Sequence, residues 1–158
     1  MGKTLSEKEI ERLEIVKDVL KDFGSYEIHQ IIMGLMKGLD VSIYADPKYD
    51  YLQMRQIRLG LEYGLDVSVY ADPKFSPWQM KIIRLGLENV LDATIYANAE
   101  FSTEQMVEIY LGLEAGIDVS VYANPKKPHE HMEKIRKRLE ANEARGNGDE
   151  EDVYDCLR

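Results

Sequence analysis

The sequence predicts an all-α protein, an α-solenoid of about five 26-residue units with an N-terminal capping helix. Three observations indicate this fold. A nine-residue string, LDVSVYADP at residues 65–73, occurs four times with small variations. The copies are spaced by 26 residues without insertion or deletion, which indicates units that pack on one another in the same way. Between the copies, apolar residues recur at i, i+3 and i+7, the periodicity of an amphipathic helix.

Residues 1–22 are predicted to be the N-terminal cap, with a helix over residues 6–22. Ser6 and Glu9 have the spacing of a capping box, in which each side chain bonds the other residue's backbone amide. Gly24 or Ser25 then opens the repeats, which are predicted to span residues 23–144. Residues 1–145 therefore form one domain, and residues 146–158 are expected to be a flexible acidic tail.

The longer helix of each unit is clearest at residues 50–63, where it has about three turns. A capping residue and a glutamine three positions later mark its start, as in a capping box. This pairing occurs three times: Asp50 with Gln53, Ser76 with Gln79, and Ser102 with Gln105. Pro77 stands at a first helical position, where its missing amide is harmless.

Each longer helix is expected to end on a residue with left-handed backbone, which glycine adopts most easily. Gly38, Gly64 and Gly116 occupy this place. Val90 replaces the glycine in the third unit and is expected to be strained. Asn142 occupies the place in the last unit, and asparagine tolerates this conformation better than most residues.

A one-turn helix is predicted after each of these ends. An aspartate is expected to cap it by accepting hydrogen bonds from nearby backbone amides, and so short a helix persists only through packing. These structural caps are Asp40, Asp66, Asp92 and Asp118. The repeated tyrosines of the same turns are expected to be core residues with their hydroxyls at the edge. They are Tyr44, Tyr70, Tyr96 and Tyr122.

Three rows of apolar residues are predicted to form the core of the longer helices. They run through Ile28, Met54, Met80, Met106 and Met132; Ile31, Ile57, Ile83, Ile109 and Ile135; and Leu35, Leu61, Leu87, Leu113 and Leu139. Glycines at mid-helix are unfavourable, so their repetition predicts a close approach to the neighbouring unit. They are Gly34, Gly60, Gly86 and Gly112. Arg138 takes this place in the last unit and is expected to mark the end of the stack.

Composition and charge exclude several classes of function. The net charge is −9, of which residues 149–158 carry −4, and no basic stripe is present, so direct nucleic-acid binding is not expected. No apolar run has the length of a membrane span, and no signal peptide is evident. Cys156 is the only cysteine, which excludes an internal disulfide framework. We expect a cytoplasmic protein.

The string IRLGLEYGLDVSVYADPKF, with Gln53-Met54 four residues upstream, resembles a tandem repeat of uncharacterised proteins from gut-bacterial phages and integrative mobile elements. The resemblance covers roughly residues 27–136, and Val90 and Ala99 depart from its pattern. It implies no activity. It implies a context, because small proteins of mobile elements often inhibit host defences.

No residues point to catalysis, a cofactor or a metal. The sequence contains no P-loop, no G-x-G-x-x-G and no G-x-S-x-G motif. The aspartate row is explained by capping, and consecutive copies are expected to lie about 10 Å apart, too far to share an ion. His129 and His131 do not share a helical face, and His29 lies several units away. The acidic row of Glu62, Glu88, Glu114 and Glu140 is interpreted as a solvated face.

The best candidates for a binding surface are positions that vary between units. One row, at the exposed first turn of each longer helix, contains Tyr26, Leu52, Trp78 and Glu104, and Tyr51 lies beside it. Tryptophan and tyrosine dominate the binding energy of protein interfaces. The alternative is that these aromatic residues pack as staples against the preceding short turn.

Three functions remain open from the sequence. The first is a non-enzymatic module that binds a protein partner through the helix starts. An oligomer of the chain is left open. The second is a stoichiometric inhibitor of a host nuclease or defence complex. The third is a small-ligand sponge, which the shortage of clustered lysine and arginine disfavours.

Overall fold

The computed structural model describes residues 20–146, and in this range it contains five complete α-helices and no strand. The helices are α1 (Ser25–Met36), α2 (Tyr51–Glu62), α3 (Pro77–Glu88), α4 (Thr103–Glu114) and α5 (His129–Arg145). One-turn 3₁₀ helices connect them: η1 (Val41–Ile43), η2 (Val67–Val69), η3 (Ala93–Ile95) and η4 (Val119–Val121). The all-α prediction is confirmed. Most of the predicted capping helix and the acidic tail after Gly146 lie outside the described residues.

Consecutive α-helices pack side by side, α1 on α2 and onward to α5, and each of α1–α4 also packs on the 3₁₀ helix that follows it. The core is one continuous cluster that contains the predicted methionine and isoleucine rows from Met54 and Ile31 onward. No helix between residues 20 and 146 is long and apolar enough to cross a membrane.

The starts of the three central helices have the geometry that the sequence predicts. In α2, the Asp50 side chain accepts a hydrogen bond from the Gln53 amide at 2.8 Å, and the Gln53 side chain accepts one from the Asp50 amide at 2.9 Å. Ser76 and Ser102 begin α3 and α4 with the same capping box. Capping boxes therefore fix the residues at which α2, α3 and α4 begin.

The helix ends confirm one expectation and correct another. Val90 adopts a left-handed φ of 58°, where Gly64 has 68°, and 91% of its surface is exposed. A β-branched residue is strained in this region. The prediction for Asn142 is wrong, because α5 continues through it and ends before Gly146, which has a φ of 75°. Asn142 lies among good helix formers, which favours continuation of the helix through it.

The predicted leucine row is only partly core. Leu61, Leu87, Leu113 and Leu139 are half-buried against the core, and Ile28 of the first row is half-buried as well. Leu35 is 59% exposed. Leu61 lies beside Ile43 and Tyr49 of the preceding unit. Leu35 is in the first unit, which no other unit precedes among the described residues.

An aromatic row in the loops before α2, α3 and α4 was missed by the sequence analysis. Tyr49, Phe75 and Phe101 are buried. The Tyr49 hydroxyl donates a hydrogen bond to the Ala71 carbonyl at 2.7 Å and so joins one unit to the next. The signal was the aromatic residue two positions after each proline or its equivalent.

Candidate functional site

The mid-helix glycines accommodate the repeated tyrosines. A Cβ built on Gly60 would lie 1.9 Å from the Tyr70 hydroxyl oxygen, and this hydroxyl donates a hydrogen bond to the Gln56 carbonyl at 3.0 Å. Gly34, Gly86 and Gly112 have the same contact with Tyr44, Tyr96 and Tyr122. The expectation that the glycines face the neighbouring unit is wrong. Each contacts the 3₁₀ turn of its own unit, because the tyrosine folds back onto the helix.

These tyrosines are buried, and their hydroxyls do not lie at the edge as the sequence analysis expected. Burial raises the pKa of Tyr44 to about 12, and it raises the pKa of Tyr70, Tyr96 and Tyr122 further. Nearby Arg58 lowers the pKa of Tyr44 in part. A neutral, hydrogen-bonded phenol of this kind is a structural group.

The aspartate row lies at the starts of the 3₁₀ helices. The Asp66 carboxylate accepts hydrogen bonds from the Ser68 hydroxyl at 2.6 Å and the Ser68 amide at 3.1 Å, and both bonds lower its pKa. The side chains of Asp40, Asp92 and Asp118 accept from the equivalent amides. Among the described residues, no three histidine, cysteine, aspartate or glutamate side chains are grouped to hold a metal ion.

The capping glutamines also bind the next unit. Besides accepting from the Ser76 amide, the Gln79 side chain donates to the Phe101 carbonyl at 2.7 Å and to the Ala99 carbonyl at 3.4 Å. Gln53 and Gln105 make equivalent bonds. This explains why the repeat has glutamine and not glutamate here, because a carboxylate has no N–H to donate.

A buried polar contact joins α2 to α3, and the sequence analysis missed it. Arg84 Nε donates to Gln56 Oε1 at 3.1 Å, and the same guanidinium forms an ion pair with Glu88. Equivalent sets are Arg58 with Gln30 and Glu62, and Arg136 with Glu108 and Glu140. Glu62, Glu88 and Glu140 are therefore ion-paired, and their interpretation as a solvated face is wrong. The pairs lie 28 residues apart, a separation that a search at period 26 does not compare.

The α3–α4 contact differs from the other three. Ile82 replaces the glutamine and Tyr110 replaces the arginine. The Tyr110 hydroxyl accepts a hydrogen bond from the Asn89 side chain at 2.7 Å and donates to Glu114 at 3.4 Å. Both members of the polar pair have changed together.

The outer side of the helix starts carries the predicted binding residues. We define the helix-start face as Tyr26, Tyr51, Leu52, Trp78 and Glu104. Tyr26 is 67% exposed, Trp78 63% and Tyr51 37%, whereas Leu52 is half-buried. The rings of Tyr26 and Tyr51 are 5.1 Å apart, so the structure brings these two together.

Glu104 makes a different contribution. Its pKa is lowered by hydrogen bonds from its own backbone amide and from Ser102, which lie at the start of α4. The carboxylate is exposed and stabilises the N-terminal end of this helix. At Glu104 the face therefore changes from aromatic to acidic.

A groove of about 170 Å³ lies between α2 and α3 on this face. Leu52 and Leu59 of α2 line one side of it, and Pro77 and Trp78 of α3 line the other. We call this the α2–α3 groove. The Lys81 ammonium lies 5.4 Å from the centre of the Trp78 ring, within reach of a cation–π contact.

Two of the three cations beside the groove are not ion-paired in the described part of the chain. Arg55 and Lys81 line it, and neither has a carboxylate within salt-bridge distance in the described part of the chain. Arg84 also lines it, but Gln56 and Glu88 occupy that guanidinium. The site thus offers an exposed indole, a groove lined by both apolar and charged residues, and two available positive charges.

Comparison of the chain with protein-family models, with curated proteins and with solved structures found no match.

Proposed function

We propose that the repeats form an α-solenoid and that the protein is a non-enzymatic module that binds a protein partner through the helix-start face. The solenoid is supported by the starts of α1–α5, which are separated by a constant 26 residues, and by the pairwise packing of consecutive helices. In a solenoid each unit contacts mainly its neighbours, so residues on the outer face can vary without loss of the stack.

The observation that carries the binding proposal is the exposure of Trp78 within a groove. A tryptophan that is 63% exposed leaves a large apolar surface in water, and such surfaces mark interaction sites when other apolar residues adjoin them. Leu52 and Pro77 adjoin it, and the Tyr26–Tyr51 pair extends the aromatic surface along the face. Aromatic residues with a neighbouring arginine are the composition of interface hot spots.

The alternative that these residues are staples is disfavoured by their exposure. A staple residue is covered by its partner on the same helix start, whereas Tyr26 and Trp78 each retain more than half of their surface. Their contribution to the fold is accordingly expected to be small.

The test is capture of partners on immobilised protein, with wild type beside Trp78→Ala. We expect the variant to lose a specifically retained protein, with affinity reduced by about 2 kcal/mol or more. Glu130→Ala is the matched control, since Glu130 occupies the same row in the last unit. Equal capture by wild type and Trp78→Ala would contradict the proposal. The identity of the captured protein would also show whether the interaction is inhibition of a host nuclease or defence complex.

A further inference from the structure

We infer that the α2–α3 groove takes an acidic peptide segment of the partner, anchored by one apolar side chain. The inference rests on the proposed function and adds the chemistry of what is bound. It depends on the size of the groove, on the two unpaired cations beside it, and on the change of charge along the helix-start face.

The size of the groove fits one side chain. Its volume of about 170 Å³ compares with the 300–1,000 Å³ typical of small-molecule pockets. Four of its eight lining residues form apolar walls, Leu52 and Leu59 from α2 and Pro77 and Trp78 from α3, and the other four are polar or charged. A single leucine, methionine or phenylalanine side chain would cover the face of the indole and displace water from these walls.

The charges beside the groove select for carboxylates. Between residues 25 and 100, all lysine and arginine side chains except Arg55 and Lys81 form an ion pair. Lys37 pairs with Glu62, for example, and Lys74 with Asp72. Arg55 and Lys81 are left unpaired in a chain whose net charge is −9. The chain has many carboxylates, and they pair with the other cations of this region. Arg55 and Lys81 therefore remain available to carboxylates of another molecule.

The acidic end of the helix-start face limits where the peptide segment can bind. Beyond α3 the same row continues with Glu104 and Glu130, which would repel an acidic segment. The Tyr26–Tyr51 pair lies on the other side and adds apolar surface without charge. The acidic segment is therefore confined to the outer side of α1–α3. Two cations do not form the extended basic track that a phosphate backbone requires, which favours a peptide over a nucleic acid.

The experiment is selection of a random dodecapeptide display library on the immobilised full-length protein, followed by binding of the enriched peptides as synthetic peptides. Trp78 is the only tryptophan in the sequence, so its intrinsic fluorescence reports occupancy of the groove directly. We expect enriched peptides with a net negative charge and one recurrent large apolar residue. Their binding should change the Trp78 emission and weaken as salt is raised.

Charge reversal separates the acidic preference from general stickiness. Arg55→Glu with Lys81→Glu should weaken the enriched peptides at least about tenfold. Lys126→Glu makes the same kind of charge change at an exposed lysine in the loop after η4 and should leave the affinity unchanged. Peptides in which the acidic residues are replaced by lysine should not bind.

The outcomes that overturn the inference differ from those that overturn the proposed function. Enrichment of neutral or basic peptides that still require Trp78 would refute the acidic segment and leave the protein-binding face intact. A library without any enriched binder would refute the inference as well. Peptides that bind equally to wild type and Trp78→Ala would refute the helix-start face itself.

Discussion

The α2–α3 and α3–α4 contacts use the same packing devices but differ at one buried pair. Both have a mid-helix glycine against a tyrosine, and both have a capping glutamine bonded to the following loop. The α2–α3 contact adds Gln56 and Arg84, where the α3–α4 contact has Ile82 and Tyr110. The stacking therefore tolerates the exchange of a polar pair for a largely apolar one.

The comparison separates two kinds of position. Residues that fix the backbone, such as Gly60 and Tyr70, recur in the units wherever a 3₁₀ turn packs on its helix. The buried pair at Gln56 and Arg84 is replaced in the α3–α4 contact, and the α2–α3 groove of the helix-start face lies beside it. Buried polar pairs are weak contributors to stability once their desolvation is counted, so their replacement by apolar residues is physically reasonable.

The largest expected effect concerns the tyrosines that both contacts share. The pKa of Tyr44 is raised to about 12 and those of the other three are raised further, while an unfolded tyrosine ionises near pH 10. Stability is thus fully present below pH 10 and is lost as pH rises toward the folded pKa values. Four such tyrosines would remove about 5 kcal/mol by pH 11.

Alkaline titration checks this expectation. Tyrosinate absorbance and far-ultraviolet circular dichroism should be followed together from pH 8 to pH 12. The four repeated tyrosines and Tyr49, all of which are buried, should ionise only as helicity is lost. Ionisation of all ten tyrosines near pH 10 with helicity retained would contradict the burial of this row.

The next effect tests the glycines at the two contacts. Gly60→Ala and Gly86→Ala should each destabilise the protein by about 3 kcal/mol, because the new Cβ would lie 1.9 Å from a tyrosine hydroxyl. Chemical denaturation gives both values. Equal stability of the variants and wild type would show that the tyrosine moves away freely.

Removal of the hydroxyl should distinguish the contacts. With Tyr70→Phe, a Cβ at Gly60 would still meet Val67 at 2.8 Å, whereas with Tyr96→Phe a Cβ at Gly86 would meet Ala93 at 3.3 Å. We therefore expect the phenylalanine to rescue Gly86→Ala more completely than Gly60→Ala. Equal rescue at both sites would contradict this explanation.

A smaller effect is expected from moving the α3–α4 pair into the α2–α3 contact. Gln56→Ile and Arg84→Tyr should each cost about 2 kcal/mol, because each leaves a buried polar partner without its bond. The double variant should cost at least about 1 kcal/mol less than the sum, since it removes both partners. A double-mutant cycle by denaturation measures the coupling. Strict additivity would show that the two positions exchange independently.

The smallest effect is expected at the end of α3. Val90→Gly should stabilise the protein by about 1 kcal/mol, because it removes left-handed strain from an exposed valine. The reverse change, Gly64→Val at the end of α2, should destabilise it by a similar amount. The difference in melting temperature between the two variants gives the size of the strain. A lower melting temperature for Val90→Gly would mean that the valine makes compensating contacts.

Much of the fold could be predicted because its signals are local. Capping residues such as Asp50 and left-handed positions such as Val90 affect only the backbone within a few residues. They can therefore be predicted from a single sequence. The partner of each glycine was not predicted, because a mid-helix glycine indicates a close approach without naming what approaches. The second role of Gln79 was missed because glutamine satisfies a capping box by itself.

The candidate site was predictable only in part. Comparison of units identified Trp78 and Tyr51 as variable positions, and a tryptophan aligned with a glutamate indicates exposure. The sequence could not predict that Arg55 and Lys81 are unpaired. Ion pairing depends on which carboxylates the fold places near each lysine and arginine.

The most direct test of the division between stacking and binding is the melting temperature of Trp78→Ala beside that of Met80→Ala. The two residues lie two positions apart in α3, but Met80 is fully buried. We expect Met80→Ala to lose 2–5 kcal/mol of stability, while Trp78→Ala stays within about 0.5 kcal/mol of wild type. If Trp78→Ala melts as low as Met80→Ala, the tryptophan stabilises the stack and the helix-start face is not a binding surface.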